Sequence, residues 1–316
     1  MLVNYESIKA AFQGFRALFT ETWDLTQVQY DKIAYLVDST SETESYDWLG
    51  DIPKMSEWIG PRIIKQLQAN IWSIRNKIWQ WAIEIDRMQL QRDKLGMIRP
   101  RIQGGASEGR RHLDELLFTL LANGFVNAAL PHGMSNLCYD GQYFFDNDHS
   151  EGKSGTQSNV GSAAYSLSAV IAAVGGIMSI KNDEGKPIGV IPDTLVVCPL
   201  DYLQAVADCA SINMVAATAP AVQVNPLAKL GLNVLTSPFA IPVISGAAKP
   251  HSWYLLATKN PIKPLIAQVE VPIEIQALDD PNSESVFRTN KLLFGAWGSY
   301  NVGFGLWQMA YGSVAA

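Results

Sequence analysis

The sequence predicts an α+β chain organised around one long helix, and three observations carry that reading. Leu113, Leu116, Leu117, Leu120 and Leu121 recur at i, i+3, i+4, i+7 and i+8, which makes a single apolar helical stripe. Residues 61–86 show the clearest apolar–polar alternation in the chain, the period of a strand with one buried face. Further on, an apolar helix, a short buried strand and a second helix follow one another, and from Trp253 the pattern returns to strand.

Taken in order, Ile8, Ala11, Phe12, Phe15, Leu18 and Phe19 recur at helical spacing and predict an amphipathic helix in an N-terminal arm. Residues 29–37 read as a strand and 39–45 as a polar linker. In the alternating stretch, Ile63, Leu67, Ala69 and Ile71 lie opposite Ile64, Gln66, Gln68 and Asn70. After the polar Arg75-Asn76-Lys77, Trp79, Trp81, Ile83 and Ile85 alternate with Gln80, Ala82, Glu84 and Asp86. A hairpin turning at 75–77 would pair Ile71 with Trp79, Ala69 with Trp81 and Leu67 with Ile83 on one apolar face. Two strands are not stable alone in water, so that face needs a cover, and on the residues alone it belongs to the chain's own sheet. Asp86 is placed to cap a short helix.

The long helix is expected over 101–122, roughly 30 Å at about 1.5 Å per residue, with Pro100 tolerated in its first turn. Its stripe extends upstream through Leu95, Ile98, Ile102, Ala106 and Gly109, and Asn123-Gly124 predicts a left-handed stop with Phe125 folding back. Cys138 to Phe145 reads as an Asp140-Gly141 turn into an aromatic strand, closed by the acidic loop Asp146-Asn147-Asp148-His149. The Gly/Ser/Asn-rich 150–162 marks a boundary. Residues 166–178 form an apolar helix with Ser166 or Ser168 as cap, 195–199 a strand, 201–210 a helix, and 233–235 and 241–244 further strands. Val269, Val271, Ile273 and Ile275 share one face of a strand that Pro272 forces to an edge or a bulge. Residues 292–297 and 305–310 complete the sheet beneath the long helix, and no internal repeat is present.

Composition narrows the function. Charged residues are 17%, against roughly 25% in typical soluble domains, while nine Trp and eleven Tyr are plentiful. That balance fits a subunit that hides surface against copies of itself, and fits an ordinary enzyme with a large core almost as well. A net charge of −6 with no basic run longer than Arg110-Arg111 argues against a dedicated nucleic-acid binder. Cys138, Cys198 and Cys209 are odd in number and far apart, which points to reduced thiols made in a cytosol. The N-terminus lacks the charged and apolar regions of a signal peptide. The apolar run 165–180 carries three serines and two glycines and falls short of a membrane span, so a soluble, unsecreted protein is expected.

No catalytic, cofactor or metal site is read from the sequence. Gly152-Lys153-Ser154 resembles the end of a phosphate loop, but the first glycine that motif requires would fall on Asn147. Asp146, Asp148 and His149 lack the glycine and terminal glutamate of a calcium loop and the extra His or Cys of a zinc site. His112, His132 and His251 stand apart from any nucleophile motif, and Asp114-Glu115 and Asp279-Asp280 read as surface charge.

Blocks along nearly the whole chain resemble the major head subunits of Mu-like tailed phages. They are Ser7-Ile8-Lys9-Ala10; Tyr46-x-Trp48-Leu49-Gly50 with Glu57-Trp58-Ile59-Gly60; Leu113 to Phe118; Asn123-Gly124-Phe125; and Cys138 to Phe145 with His149. Near the end come Trp253 to Leu256, Ile262-Lys263-Pro264, Leu293 to Ala296 and Leu306 to Ala310. The resemblance implies the Hong Kong 97-type phage capsid fold: an N-terminal arm (1–45), an extended hairpin loop (46–88), a peripheral domain with the spine helix (89–160 and 251–316) and an axial domain (161–250). It implies hexamers and pentamers closing into an icosahedral head around double-stranded DNA held by weak, non-specific contact, with no cofactor and no membrane. The implied partners are a separate scaffold or protease and a portal, with a decoration protein left open. The start of the chain matches the family's usual start, so little or no propeptide removal is expected. The resemblance also places the hairpin face (Leu67, Ala69, Ile71, Trp79, Trp81, Ile83) against a neighbouring subunit. Two alternatives remain, a bacterial encapsulin-type nanocompartment shell and a hydrolase or metal enzyme with its site in the C-terminal half.

Overall fold

A computed structural model describes residues 5–46, 72–92, 96–126, 128, 130–215, 222–280 and 284–315. The chain opens with α1 (Tyr5–Leu25), a single helical turn α2 (Tyr30–Ile33), β1 (Ala34–Asp38) and β2 (Thr43–Ser45). β3 (Ser73–Arg75), β4 (Lys77–Asp86), α3 (Arg87–Arg92) and the spine helix α4 (Ile98–Ala122) follow. The middle holds β5 (His149–Ser150), β6 (Thr156–Gln157), β7 (Val160–Gly161), α5 (Leu167–Met178), β8 (Thr194–Val197), α6 (Tyr202–Ala210), β9 (Asn213–Val215), β10 (Val222–Val224) and α7 (Pro226–Leu230). β11 (Asn233–Thr236), β12 (Val243–Ile244), β13 (Ala247–Ala248), β14 (Trp253–Leu256), β15 (Leu265–Leu278), α8 (Glu284–Thr289), β16 (Lys291–Phe304) and β17 (Ala310–Ser313) complete it.

Two larger sheets organise these elements. One runs β1-β15-β16-β4, and α4 packs across it. Its apolar face buries Ile102 and Ala106 of α4 together with Ile8, Phe12, Phe15 and Phe19 of α1, so the N-terminal helix lies against the spine helix of its own chain. The other sheet runs β11-β8-β14-β17-β7. Thr194-Leu195-Val196-Val197 and Trp253-Tyr254-Leu255-Leu256 are buried at every position, as strands covered on both faces must be. α5 and α6 flank this sheet, and Ser166 caps α5 by accepting the Ala169 amide at 3.2 Å.

Several expectations are corrected. The chain does not reverse at Arg75-Asn76-Lys77. β4 pairs with β16 from Lys77 opposite Tyr300 to Asp86 opposite Lys291, and upstream the Trp72 indole donates to the Phe304 carbonyl at 3.2 Å, so the chain continues in one direction past Asn76. Ile71, expected opposite Trp79, lies outside the described residues. Asn76 is buried: its amide donates to Ser39 Oγ at 2.9 Å and its Oδ1 accepts from Gln268 at 2.8 Å, so the polar triplet is a junction between sheets. Within 29–37, strand begins only at Ala34, because Asp114 on α4 accepts the Gln29 and Tyr30 amides and winds one helical turn there. The Asp140-Gly141 turn forms, with Gly141 at φ +84, but beyond it only a Leu137–Tyr143 bridge pairs, while Phe144 and Phe145 are buried.

Pro272 lies at a register shift between Val271 and Glu274, past the end of β1's pairing with 265–269. It is thus at a bulge and, among the described residues, on an unpaired edge, where a missing N–H costs nothing. Residues 310–313 leave the sheet under the spine and pair with β14, so the boundary expected at 250/251 falls between strands of one sheet. Gly124 is not left-handed: it is not among the residues with positive φ, and Asn123 ends the helix at φ −109. What Gly124 supplies is space, since a Cβ there would meet Phe304 Cζ at 3.0 Å and Phe144 and Phe145 at 3.2 Å.

Candidate assembly surfaces

Of the six hairpin-face residues, Leu67, Ala69 and Ile71 lie outside the described residues. Trp79, Trp81 and Ile83 point to one face of β4, as the alternation predicts, and that face is covered by the chain's own helices. The Trp79 ring packs edge-on against His112 of α4 at 4.5 Å and against His132 at 5.0 Å, and its indole donates to the Tyr300 carbonyl at 2.9 Å. His112 Nδ1 and the Tyr300 hydroxyl are 2.7 Å apart, and burial pushes the His112 pKa down, favouring a neutral ring. Trp81 reaches Phe19 and Phe294 and lies directly over Gly105 of the spine. A hollow of about 150 Å³ remains between helix and sheet, lined by Trp79, Trp81, Gly105, Gly109 and His112 among others. The opposite face of β4 (Ile78, Gln80, Ala82, Glu84) is exposed, and β4 is the outer strand among the described residues.

The described residues on either side of 47–71 form a paired base. Thr43, Glu44 and Ser45 pair with Arg75, Ile74 and Ser73, and the Tyr46 amide donates to the Trp72 carbonyl at 2.7 Å. Beneath it the Tyr46 hydroxyl donates to Gln268 Oε1 at 2.8 Å, and Gln268 Nε2 donates to the Ile74 carbonyl at 3.2 Å. Gln268 and Asn76 are core polar residues of a strand and a junction, and nothing in their local sequence distinguishes them from surface positions.

A second exposed surface is the outer side of α6, where Leu200 just before the helix and Leu203 within it are 68% and 80% exposed and Val206 continues the row. The acids nearby turn elsewhere: Asp208 accepts from the Tyr165 hydroxyl at 2.9 Å and from Gln204, and Asp201 pairs with His251. The outer row is left apolar and uncharged.

The motif stretch 138–154 holds a buried polar cluster and no metal centre: among the described residues no three His, Cys, Asp or Glu side chains converge. His149 turns inward, Nδ1 2.6 Å from Asp140 Oδ2, with its ring stacked on Trp307 at 4.1 Å, while Asp148 stays exposed. Glu151 Oε1 accepts from Tyr139, from Gln308 at 2.9 Å and from the Trp307 indole at 3.2 Å, tying this loop to the C-terminal segment. Burial, more than any neighbouring charge, raises the Glu151 pKa. Gly152 and Ser154 make a turn, with Ser154 Oγ accepting the Glu151 amide. Glu151 was not singled out by sequence, because an acid in a Gly/Ser-rich loop carries no mark of burial.

The family profile of the Mu-like prophage major head subunit gpT matches residues 8–169 and 242–316. The chain belongs to this family. The Mu-like prophage FluMu major head subunit of Haemophilus influenzae is 27% identical over 98% of this chain and 73% of its own length. The major capsid protein of Escherichia phage Mu is 28% identical over 98% of this chain and 74% of its own. Among solved structures, the procapsid of bacteriophage JBD30 superposes with a TM-score of 0.58 at 25% identity, covering 99% of this chain and 77% of that one. A virus-like particle from Pyrococcus furiosus shares the fold at a TM-score of 0.51 and 9% identity, covering 95% of this chain and 98% of that one. The fold is thus the Hong Kong 97-type coat fold. As a Mu-like major head subunit the chain is a structural protein of the virion capsid, not an enzyme, and it assembles with copies of itself into a shell. No helix among the described residues is long and apolar enough to cross a membrane.

Proposed function

We propose that this major head subunit forms hexamers and pentamers that close into an icosahedral head around double-stranded DNA, and that segment 47–71 is the loop that reaches a neighbouring subunit. The observation carrying this is the fixed base: the Tyr46–Trp72 hydrogen bond and the β2–β3 pair hold together the residues on either side of 47–71, beside β4, the outer strand among the described residues. A mobile tether would lose the ordering entropy of the whole segment on contact, whereas with a fixed base part of that loss has already occurred on folding. In this reading the loop is 47–71 alone. β4, expected within a loop of 46–88, belongs to the peripheral sheet, and the peripheral part comprises β1, β15, β16, β4 and the spine. The axial part is 161–250, with the apolar outer row of α6 turned to neighbours in the same capsomer. Partners are copies of the chain, a scaffold and a portal, and the DNA is enclosed rather than gripped, in keeping with the net charge of −6.

Replacing 47–71 by a short Gly-Ser link, co-expressed with the scaffold, tests the loop's role. The shortened subunit is expected to fold with the melting temperature of the full chain and to form no closed shells. Closed shells at normal yield would overturn it.

A further inference from the structure

At one corner of the subunit an exposed aromatic side chain and a hollow lined, among the described residues, by Met88, Met97 and Ile98 with Gln89, Arg92 and Arg101 stand next to each other without meeting. β16 begins there, directly after α8, and β4 ends there in α3: Lys291 pairs with Asp86, and the Arg87 amide donates to the Asn290 carbonyl at 3.1 Å. Val286 of α8 turns into the core and leaves Phe287 90% exposed. Beside it, the hollow measures about 290 Å³. Met88 and Met97 are 42% and 58% exposed. The hollow's volume exceeds the about 150 Å³ that holds benzene in an enclosed apolar cavity, and this hollow is open on one side.

The two features carry opposite charge. Residues 279–288 hold Asp279, Asp280 and Glu284 against a single Arg288, which is bound to Glu284 at 2.8 Å. Residues 87–101 hold five basic residues and one acid, and Arg92, Arg99 and Arg101 are exposed. Methionines make an adaptable, polarisable lining that suits an aromatic ring, and the arginines can lie on its face. Phe287 does not enter its own hollow, since its ring is in solvent.

We propose that Phe287 of one copy seats in the Met88–Met97 hollow of a second copy, with the acidic flank of α8 against the arginines around that hollow. Knob and socket share one corner, so copies meeting corner to corner each give one contact and receive one, and the arrangement closes on itself. The contact rests on the shell reading above and adds a specific joint to it. Aromatic anchors and arginines that are packed and desolvated together are among the few residues that dominate an interface.

The test compares the full chain with Phe287→Ala and with the pair Arg92→Glu/Arg101→Glu, measuring melting of the unassembled subunit and the protein concentration at half-maximal shell formation. Phe287→Ala is expected to leave melting unchanged and to raise that concentration about ten-fold or more. The arginine pair is expected to do the same. In assembled particles, Phe287→Cys with Met97→Cys is expected to give an oxidised band of two joined chains, with neither single substitution doing so. Shell formation by Phe287→Ala at the unsubstituted concentration, or no two-chain band from the double-cysteine particles, would overturn the contact alone. Failure of the unsubstituted chain to form particles would overturn the shell reading and this joint with it.

Discussion

Gly105 of the spine helix lies beneath the indole of Trp81, so close that a Cβ built on it would fall 2.0 Å from Cζ2. Glycine in a helix interior costs about 1 kcal/mol relative to alanine, and here that cost lets sheet and helix close around a large aromatic ring. Gly105→Ala should therefore destabilise the subunit by roughly 1–3 kcal/mol through overpacking, despite the gain in helix propensity. At its neighbour Gly104 a Cβ would meet nothing within 4 Å, so Gly104→Ala should stabilise by up to about 1 kcal/mol. Denaturant unfolding of both variants checks the pair, and equal shifts would contradict the close approach.

Trp79 is held inside the subunit by His112, His132 and the Tyr300 carbonyl. Trp79→Ala should lower subunit stability by about 2–4 kcal/mol, in the range for large-to-small changes at a partly open site, before any assembly step. The sequence-based expectation, a bare face resting on a neighbour, would leave subunit melting near that of the unsubstituted chain. Differential scanning calorimetry of unassembled subunits separates the two.

Burial of Glu151 raises its pKa, so the folded state holds the proton more tightly than the unfolded chain does. Its contribution to stability is fullest below the unfolded value, about 4.3, and is lost as pH rises through the higher folded value. Glu151→Gln keeps an oxygen to accept from Tyr139, Gln308 and Trp307 and removes the buried charge. The variant should thus gain stability relative to the unsubstituted chain as pH rises from about 4.5 toward 7. Parallel melting curves across that range would contradict the assignment.

Asp114 joins the end of the N-terminal segment to the spine by accepting the Gln29 and Tyr30 amides at 3.0 and 2.6 Å. Asp114→Ala should cost about 1–2 kcal/mol, as loss of a cap does, and should speed hydrogen exchange at those two amides. Unchanged exchange at 29 and 30 would mean that α2 is held by other contacts.

What the sequence made legible was whatever its periodicity encodes locally. The leucine stripe gives α4, the spacing of Ile8, Phe12, Phe15 and Phe19 gives α1, Ser166 marks the cap of α5, and Pro272 falls at a bulge on an edge unpaired among the described residues. What it hid depends on partners far along the chain. Arg75-Asn76-Lys77 has turn composition, yet Asn76 is fixed by Ser39 and Gln268 between β3 and β4, and the chain passes from one strand to the other without reversing. Gly124 follows an Asn and invites a left-handed reading, but its lack of a side chain answers Phe304, far along the chain. The alternation of Trp79, Trp81 and Ile83 gave the correct face, while the cover for that face comes from α1 and α4. Periodicity states that a face is buried and leaves open by what.

The central claim is that this chain is a shell-building subunit, and electron microscopy of the purified chain co-expressed with its scaffold tests it most directly. Closed, uniform shells with Hong Kong 97-type subunits in rings of six and five are the predicted result. A monodisperse monomer at high concentration with scaffold supplied would contradict it.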